Sequence, residues 1–279
     1  MNQPIQRKNQ WLWLTAPIAI LFAIAAGCGL FISGMYKRDI AYFVIQARGQ
    51  DMISFAIVLP VLIISAILTG RGSLRAQQIW FGALVYLIYT YIVAAFDVNF
   101  NSLFLVYVAL LGCSLYALIG RLVSADMNGI KSRFSEKTLV KTVSIYLGVV
   151  AVLFYLLWLK EIIPALIAGR IPQSILDNGT PTNTIHVLDM SWMLPAFLIA
   201  AFALWRRRAL GYTLAGVLLT YAVFLMLAVL SMALFMSWGG YAVAAPQVVI
   251  FGVLFFVSLG MLTWYLKGLK SVPDKTAQA

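Results

Sequence analysis

The chain has 279 residues, of which 63% are apolar and only 10% charged, and its mean hydropathy is +0.94. Too little polar surface remains to coat a soluble domain, so a water-soluble globule, a disordered chain and a collagen-like repeat are all excluded. A net charge of +11 from 20 basic and 9 acidic residues would point to nucleic acid in a soluble protein, but here membrane orientation accounts for it and no nucleic-acid partner is expected.

A hydrocarbon core of ~30 Å is crossed by about 20 helical residues. Eight apolar runs come close to or exceed that length: Trp11 to Met35, Met52 to Gly70, Ala76 to Phe96, Ser102 to Gly120, Thr142 to Leu159, His186 to Trp205, Ala209 to Met236 and Ala242 to Leu266. The expected fold is an all-α integral membrane protein of eight transmembrane helices, with the lipid bilayer as its first partner. Breakers separate the runs, among them Gly70-Arg71-Gly72-Ser73, the Asp97-to-Asn101 turn and Trp238-Gly239-Gly240.

Charge sorts along these runs. If the N-terminus is cytoplasmic, the inner segments hold 15 of the 20 bases: Arg7, Lys8, Arg71, Arg75, Arg121, Lys131, Arg133, Lys137, Lys141, Arg206 to Arg208, Lys267, Lys270 and Lys275. The outer segments keep Lys37, Arg38, Arg48, Lys160 and Arg170 with six of the nine acids. The positive-inside rule then sets both termini in the cytoplasm. Trp11, Trp13, Trp80, Trp158, Trp205, Trp238 and Trp264 fall near run ends, where an aromatic belt anchors helices.

In the first run, Ala25-Ala26-Gly27-Cys28 is similar to a bacterial lipoprotein processing box. Ala25 stands where leucine is usual and the apolar run continues through Leu30, Phe31 and Ile32, which favours a retained helix. Cys28 and Cys113 both sit inside apolar runs, and the chain has one histidine, so neither a disulfide framework nor a multi-imidazole metal site is expected, and no cofactor.

The second run carries Asp51, Ser54 and Pro60; the third carries Tyr86, Tyr89, Thr90, Val93 and Asp97 at three-and-four spacing, a hydroxyl-rich stripe ending in an acid. Such a stripe is wasted on lipid, so it faces neighbouring helices or a ligand cavity. In the sixth run His186, Asp189 and Trp192 are expected on one helical face, with Asp189 ~25 Å above the inner edge, where an acid is costly and wants a partner. Capping, or pairing with Arg170 or Lys160, is the structural alternative to a polar pocket. Pro195 follows in that run and Tyr221 in the seventh. Pro60 and Pro195 each free a carbonyl one turn earlier, Ala56 or Ser191, and mark candidate hinges.

The second and sixth runs align without gaps at an offset of 135 residues, with Leu59-Pro60 on Leu194-Pro195, Ile64 on Ile199, Ala66 on Ala201 and Arg71 on Arg206. Gly82 then falls near Gly216. The chain reads as two parallel four-helix repeats, residues 1–122 and 142–279, joined by a cytoplasmic linker over 123–141. Each half also has a partly apolar outer segment, Ile40 to Gln50 and Ile162 to Leu176. In this register Asp51 matches His186 and Ser54 matches Asp189, so four polar residues are expected to approach one axis.

Val187-Leu188-Asp189-Met190 to Leu194-Pro195, followed by Trp205-Arg206-Arg207-Arg208 and Gly211-Tyr212, resembles a pattern in uncharacterised bacterial multi-span inner-membrane proteins. The likeness covers about thirty residues and implies a bacterial inner-membrane setting without an activity. From the residues themselves the leading expectation is a protein that binds a small solute or ion in an outward-opening pocket between repeats, as a transporter or membrane sensor. The alternative is a non-catalytic accessory subunit with a membrane protein partner. A third reading, an enzyme acting on a lipid-linked substrate through Asp39, Glu161 or Asp189, is opposed by the lack of any phosphate-binding glycine loop, metal-ligand pair or nucleophile elbow in the sequence.

Overall fold

The computed structural model describes residues 10–136 and 138–270. Among them are eight helices long and apolar enough to cross a membrane: α1 (Gln10–Phe31), α2 (Ala41–Gly70), α3 (Leu74–Asp97), α4 (Phe104–Val123), α5 (Val140–Ile167), α6 (Thr184–Trp205), α7 (Ala209–Trp238) and α8 (Ala245–Lys267). The described residues contain no strand, only an isolated bridge between Phe134 and Leu269. Because the helices alternate in direction, α1 and α8 start and end on one face of the bundle, here called the terminal end. The opposite face is the distal end.

Two helices outrun the apolar runs that announce them. α2 has 30 residues and α5 has 28, hence ~45 and ~42 Å at 1.5 Å per residue, against ~30 Å of hydrocarbon. The stretch Ile40 to Gln50 is therefore no separate segment but the first turns of α2. The polar residues there find partners within the protein: the Gln50 amide donates to Thr90 Oγ1 on α3 (2.9 Å), and the next residue, Asp51, accepts from Tyr36 in the connection before α2 (2.7 Å), so nothing there forces the helix to stop. The segment Ile162 to Leu176 behaves differently, its first part extending α5 and its last lying in a short helix, Gln173–Asn178.

Both proline helices share a local device. Residues Ser54–Val58 and Asp189–Met193 are π-helical, and Leu-Pro follows each. Proline has no N–H and its ring crowds the carbonyl four residues back. Widening the turn by one residue lets the Leu59 N–H reach the Ser54 carbonyl and the Leu194 N–H reach the Asp189 carbonyl. The expected simple kink is thus a π turn in both helices, a feature frequent at functional sites.

Lipid gives helices no hydrophobic reason to associate, so close packing and hydrogen bonds must hold the bundle. α3 and α7 form its centre and are the most enclosed of the eight. They cross at glycines: a methyl group on Gly82 would strike Thr220 and the Val217 carbonyl, and one on Gly216 would strike Gln78. α2 and α4 flank α3 as α6 and α8 flank α7, and the first half of α2 also lies along α7. Trp80 and Trp158 depart from the aromatic belt. Trp80 is fully buried and donates its indole N–H to Thr15 Oγ1 (3.0 Å), and Trp158 donates to Asp189, because an indole with an internal acceptor is better placed inside than at the interface.

Residues 123–136 are docked at the terminal end. The short helix Met127–Ser132 packs on α7, and the Phe134 ring stacks against Tyr212 and Tyr265 at 4.9 and 4.8 Å. Lys270 N–H donates to the Arg133 carbonyl (3.0 Å), Ser135 N–H donates to the Gly268 carbonyl (2.9 Å), and Arg75 Nε donates to the Leu269 carbonyl (2.8 Å). The segment thereby ties α4 to the end of α8.

If the glycine crossing is the packing core, Gly82→Leu lowers the thermal midpoint of the detergent-purified protein sharply, overpacking costing on the order of 1–3 kcal/mol or more. Gly252→Leu in α8, where a methyl group would meet nothing within 4 Å, leaves the midpoint unchanged.

Candidate functional site

The polar stripe of α3 is engaged along its whole length, and with two different helices. The Tyr86 hydroxyl meets Ser54 Oγ (3.0 Å) and Thr90 accepts from Gln50, both on α2. Tyr89 donates to Asp189 Oδ1 (3.0 Å) and Asp97 accepts from Thr184 Oγ1 (2.5 Å), both on α6. The three-and-four spacing gives α3 two adjoining polar edges, and each edge binds one of the π-turn helices.

A cavity of ≈ 90 Å³ lies at the distal end, with Asp51, Asp97, Thr90, Tyr36, Gln50 and Tyr107 among its walls and Thr180 and Asn183 beside them. That is room for several waters or a small solute. Asp51 is half-buried and accepts a hydrogen bond from Tyr36 (2.7 Å), which stands in the connection between α1 and α2. Burial, reinforced by the Asp51 carboxylate, pushes the Tyr36 phenol well above its ordinary value, so it remains protonated and donating. α1 accommodates the pair through Gly29, because any Cβ there would overlap Asp51 Oδ2 and the Tyr36 hydroxyl. The Tyr107 hydroxyl is buried without a partner among the described residues.

The loops around this cavity are fastened to each other. Asp39 accepts from the backbone N–H and side-chain amide of Asn99 (2.8 and 2.9 Å), and Arg38 donates to the Phe100 carbonyl (2.6 Å). The connection holding Tyr36 is thereby pinned to the connection after α3.

Asp189 belongs to a second group on the other edge of α3. It is 6% exposed, and each carboxylate oxygen has a donor: Tyr89 on Oδ1 and Trp158 Nε1 on Oδ2 (2.9 Å). The Trp158 ring packs on His186 (4.5 Å between centroids), and His186 Nε2 lies 3.9 Å from Glu161 Oε2. Tyr221 packs edge-on against Tyr89 (5.6 Å), and its hydroxyl has no partner among the described residues. A cavity of ≈ 30 Å³ beside Asp189 and Tyr221 is large enough for a water or two.

The candidate residues therefore divide. Asp51 and Asp97 share the distal cavity; Ser54 and Tyr86 form a buried pair on the α2 side; Asp189, Tyr89 and Tyr221 form a cluster on the α6 side. Asp51, Ser54, His186 and Asp189, expected to approach one axis, make no hydrogen bond to one another: Asp51 bonds Tyr36, Ser54 bonds Tyr86, Asp189 bonds Tyr89 and Trp158, and His186 lies beside Glu161. His186 pairs with Glu161 rather than Asp189, and Trp192 is half-buried against the edge of the apolar core. The π turn that begins at Asp189 has more than four residues per turn, which carries Trp192 off the face of the acid. Asp189 pairs with neither Lys160 nor Arg170. Among the described residues no basic side chain lies within 4 Å of Asp51, Asp97 or Asp189, and no group of three or more His, Cys, Asp or Glu could hold a metal ion.

Tyr36 and Gln50 were not singled out by the sequence, which offers Trp158 only as an interface anchor and Glu161 only as a candidate acid of an enzyme. Their one signal is position: each is a polar-tipped residue at the end of an apolar run, where anchoring and partnering look alike. Comparison with protein families, with characterised proteins and with solved structures finds no match to this chain.

The Gly29 contact yields a local test. Gly29→Ala drives Asp51 and Tyr36 apart and lowers the thermal midpoint, whereas Gly27→Ala, which would meet only the Phe55 ring at 3.4 Å, is tolerated. Equal midpoints for the two variants would contradict this packing.

Proposed function

We propose that this polytopic membrane protein binds a small solute or ion in the distal cavity, as a transporter or membrane sensor, and that the bound species carries positive charge. The observation that carries the reading is the pair of carboxylates, Asp51 and Asp97, on the walls of one cavity with no basic side chain within 4 Å among the described residues. Acids at membrane depth need a compensating charge or donors, and a cation supplies the charge. Thr90, Gln46, Gln50 and Tyr107 add oxygen acceptors around it. Asp189, with a donor on each oxygen, is read as a positioning residue that fixes α6 to α3 and α5.

The same reading takes residues 1–122 and 142–279 as two parallel four-helix units joined through 123–141. Its support is the coincidence of π turn, proline and basic end at one offset: Ser54 with Asp189, Pro60 with Pro195, Arg71 with Arg206. The similar flanking of α3 and α7 agrees with it. The surplus of basic residues at the terminal end supports cytoplasmic termini, an inner-membrane location and a cavity that opens outward. The paired π turns are then hinges on which α2 and α6 bend about the cavity.

Thermal stability of the purified protein against monovalent cations, protonated amines and amino acids tests the proposal. A cationic ligand raises the midpoint, and Asp51→Asn weakens its binding by about tenfold or more, a loss of ~1.4 kcal/mol. A midpoint that no cation moves, or a ligand bound equally well by Asp51→Asn and Asp97→Asn, would overturn it.

A further inference from the structure

A second cavity, of ≈ 230 Å³, lies at the terminal end between the start of α3, the end of α4 and the short helix Met127–Ser132. Gln77, Arg121, Ser124, Asp126 and Arg133 are on its walls. Arg121 is only 7% exposed. One of its terminal nitrogens donates to Gln77 Oε1 (3.0 Å), but Nε is buried without a partner, and no carboxylate of the described residues comes within 4 Å of the guanidinium.

The one acid on the wall, Asp126, accepts the Gly129 N–H on Oδ1 (2.9 Å) and caps the short helix; it makes no ion pair with either arginine, and its single charge stands against two guanidinium groups. Ser124 spends its hydroxyl proton on the Gly120 and Arg121 carbonyls. Arg133 is half-buried, and its side chain has no partner among the described residues. A buried guanidinium without counter-charge is costly, so a site that keeps one beside open space is built for an anion. Two guanidinium groups offer forked donors that match the tetrahedral oxygens of phosphate, and this depth, at the end of a spanning helix, is where phosphate is the resident anion.

We propose that this cavity binds a phosphate group through Arg121 and Arg133. Two sources share that chemistry, a phospholipid headgroup and a soluble phosphate, and the experiment separates them. The full chain, purified in a nonionic detergent at constant ionic strength set with sodium chloride, is titrated with inorganic phosphate in one arm. In the other arm it receives mixed micelles of phosphatidylglycerol, with diacylglycerol as the phosphate-free control.

The thermal midpoint rises by about 3 °C or more in at least one arm and not with diacylglycerol. A rise with inorganic phosphate assigns a soluble ligand; a rise with phosphatidylglycerol alone assigns the headgroup. Arg133→Gln, which alters a partly exposed side chain, reduces the rise at least by half while the ligand-free midpoint stays put. Arg121→Lys, which keeps the charge and loses the fork, reduces it too. No rise in either arm, or an undiminished rise in Arg133→Gln, overturns the proposal. Neither outcome bears on Asp51, which lies at the other end of the bundle.

Discussion

The stripe of polar side chains along α3 governs this bundle. Inside a membrane a hydroxyl or carboxyl must find its partner within the protein, since lipid offers none. Four such groups of α3 stand on two adjoining edges, and each edge takes one proline helix: Tyr86 and Thr90 bind α2, Tyr89 and Asp97 bind α6. The π turns turn Ser54 and Asp189 toward that helix. With α2 and α6 bonded to its polar edges and α4 packed along it, α3 also meets α7, which can come near only because Gly82 and Gly216 carry no side chains. Single interhelical hydrogen bonds in membranes average only about 0.6 kcal/mol, so the arrangement draws its strength from having several in one row together with the close crossing.

The same helix links two polar places of opposite character. Near its start Gln77 receives Arg121 on the wall of a basic cavity; at its far end Thr90 and Asp97 border an acidic one. Between them the helix is almost entirely enclosed. The cation reading for the distal cavity and the phosphate reading for the terminal one follow from the same consideration, namely that an ionisable side chain kept at membrane depth with no opposite charge within 4 Å favours a partner from solution or from lipid.

The eight helices are legible in the sequence because crossing lipid demands length and apolarity, and both are properties of a single run. The α3 stripe is legible for a similar reason, its spacing being local. Pro60 and Pro195 announce a disturbance in two helices, but the chain alone does not say whether a kink or a π turn absorbs it. What stayed hidden depends on neighbours. Gln46, Arg48, Gln50 and Asp51 look out of place in a spanning helix until the Tyr42 and Leu30 carbonyls, Thr90 and Tyr36 are known to partner them, and so α2 starts eleven residues before Met52, at Ala41. Trp80 and Trp158 pass for interface anchors until Thr15 and Asp189 are found opposite their indoles. His186 sits one turn from Asp189 in sequence, yet its nearest acid is Glu161 on another helix.

The claim on which everything else rests is that α3 binds α6 through Tyr89 and Asp189, and a double-mutant cycle measures that bond directly. Wild type, Tyr89→Phe, Asp189→Ala and the double variant would be unfolded reversibly in a bilayer or mixed micelle and their stabilities compared. The account predicts a favourable coupling energy of about 0.5–1.5 kcal/mol, with the double variant no less stable than the sum of the single changes would make it. Strict additivity, with the coupling indistinguishable from zero, would contradict it.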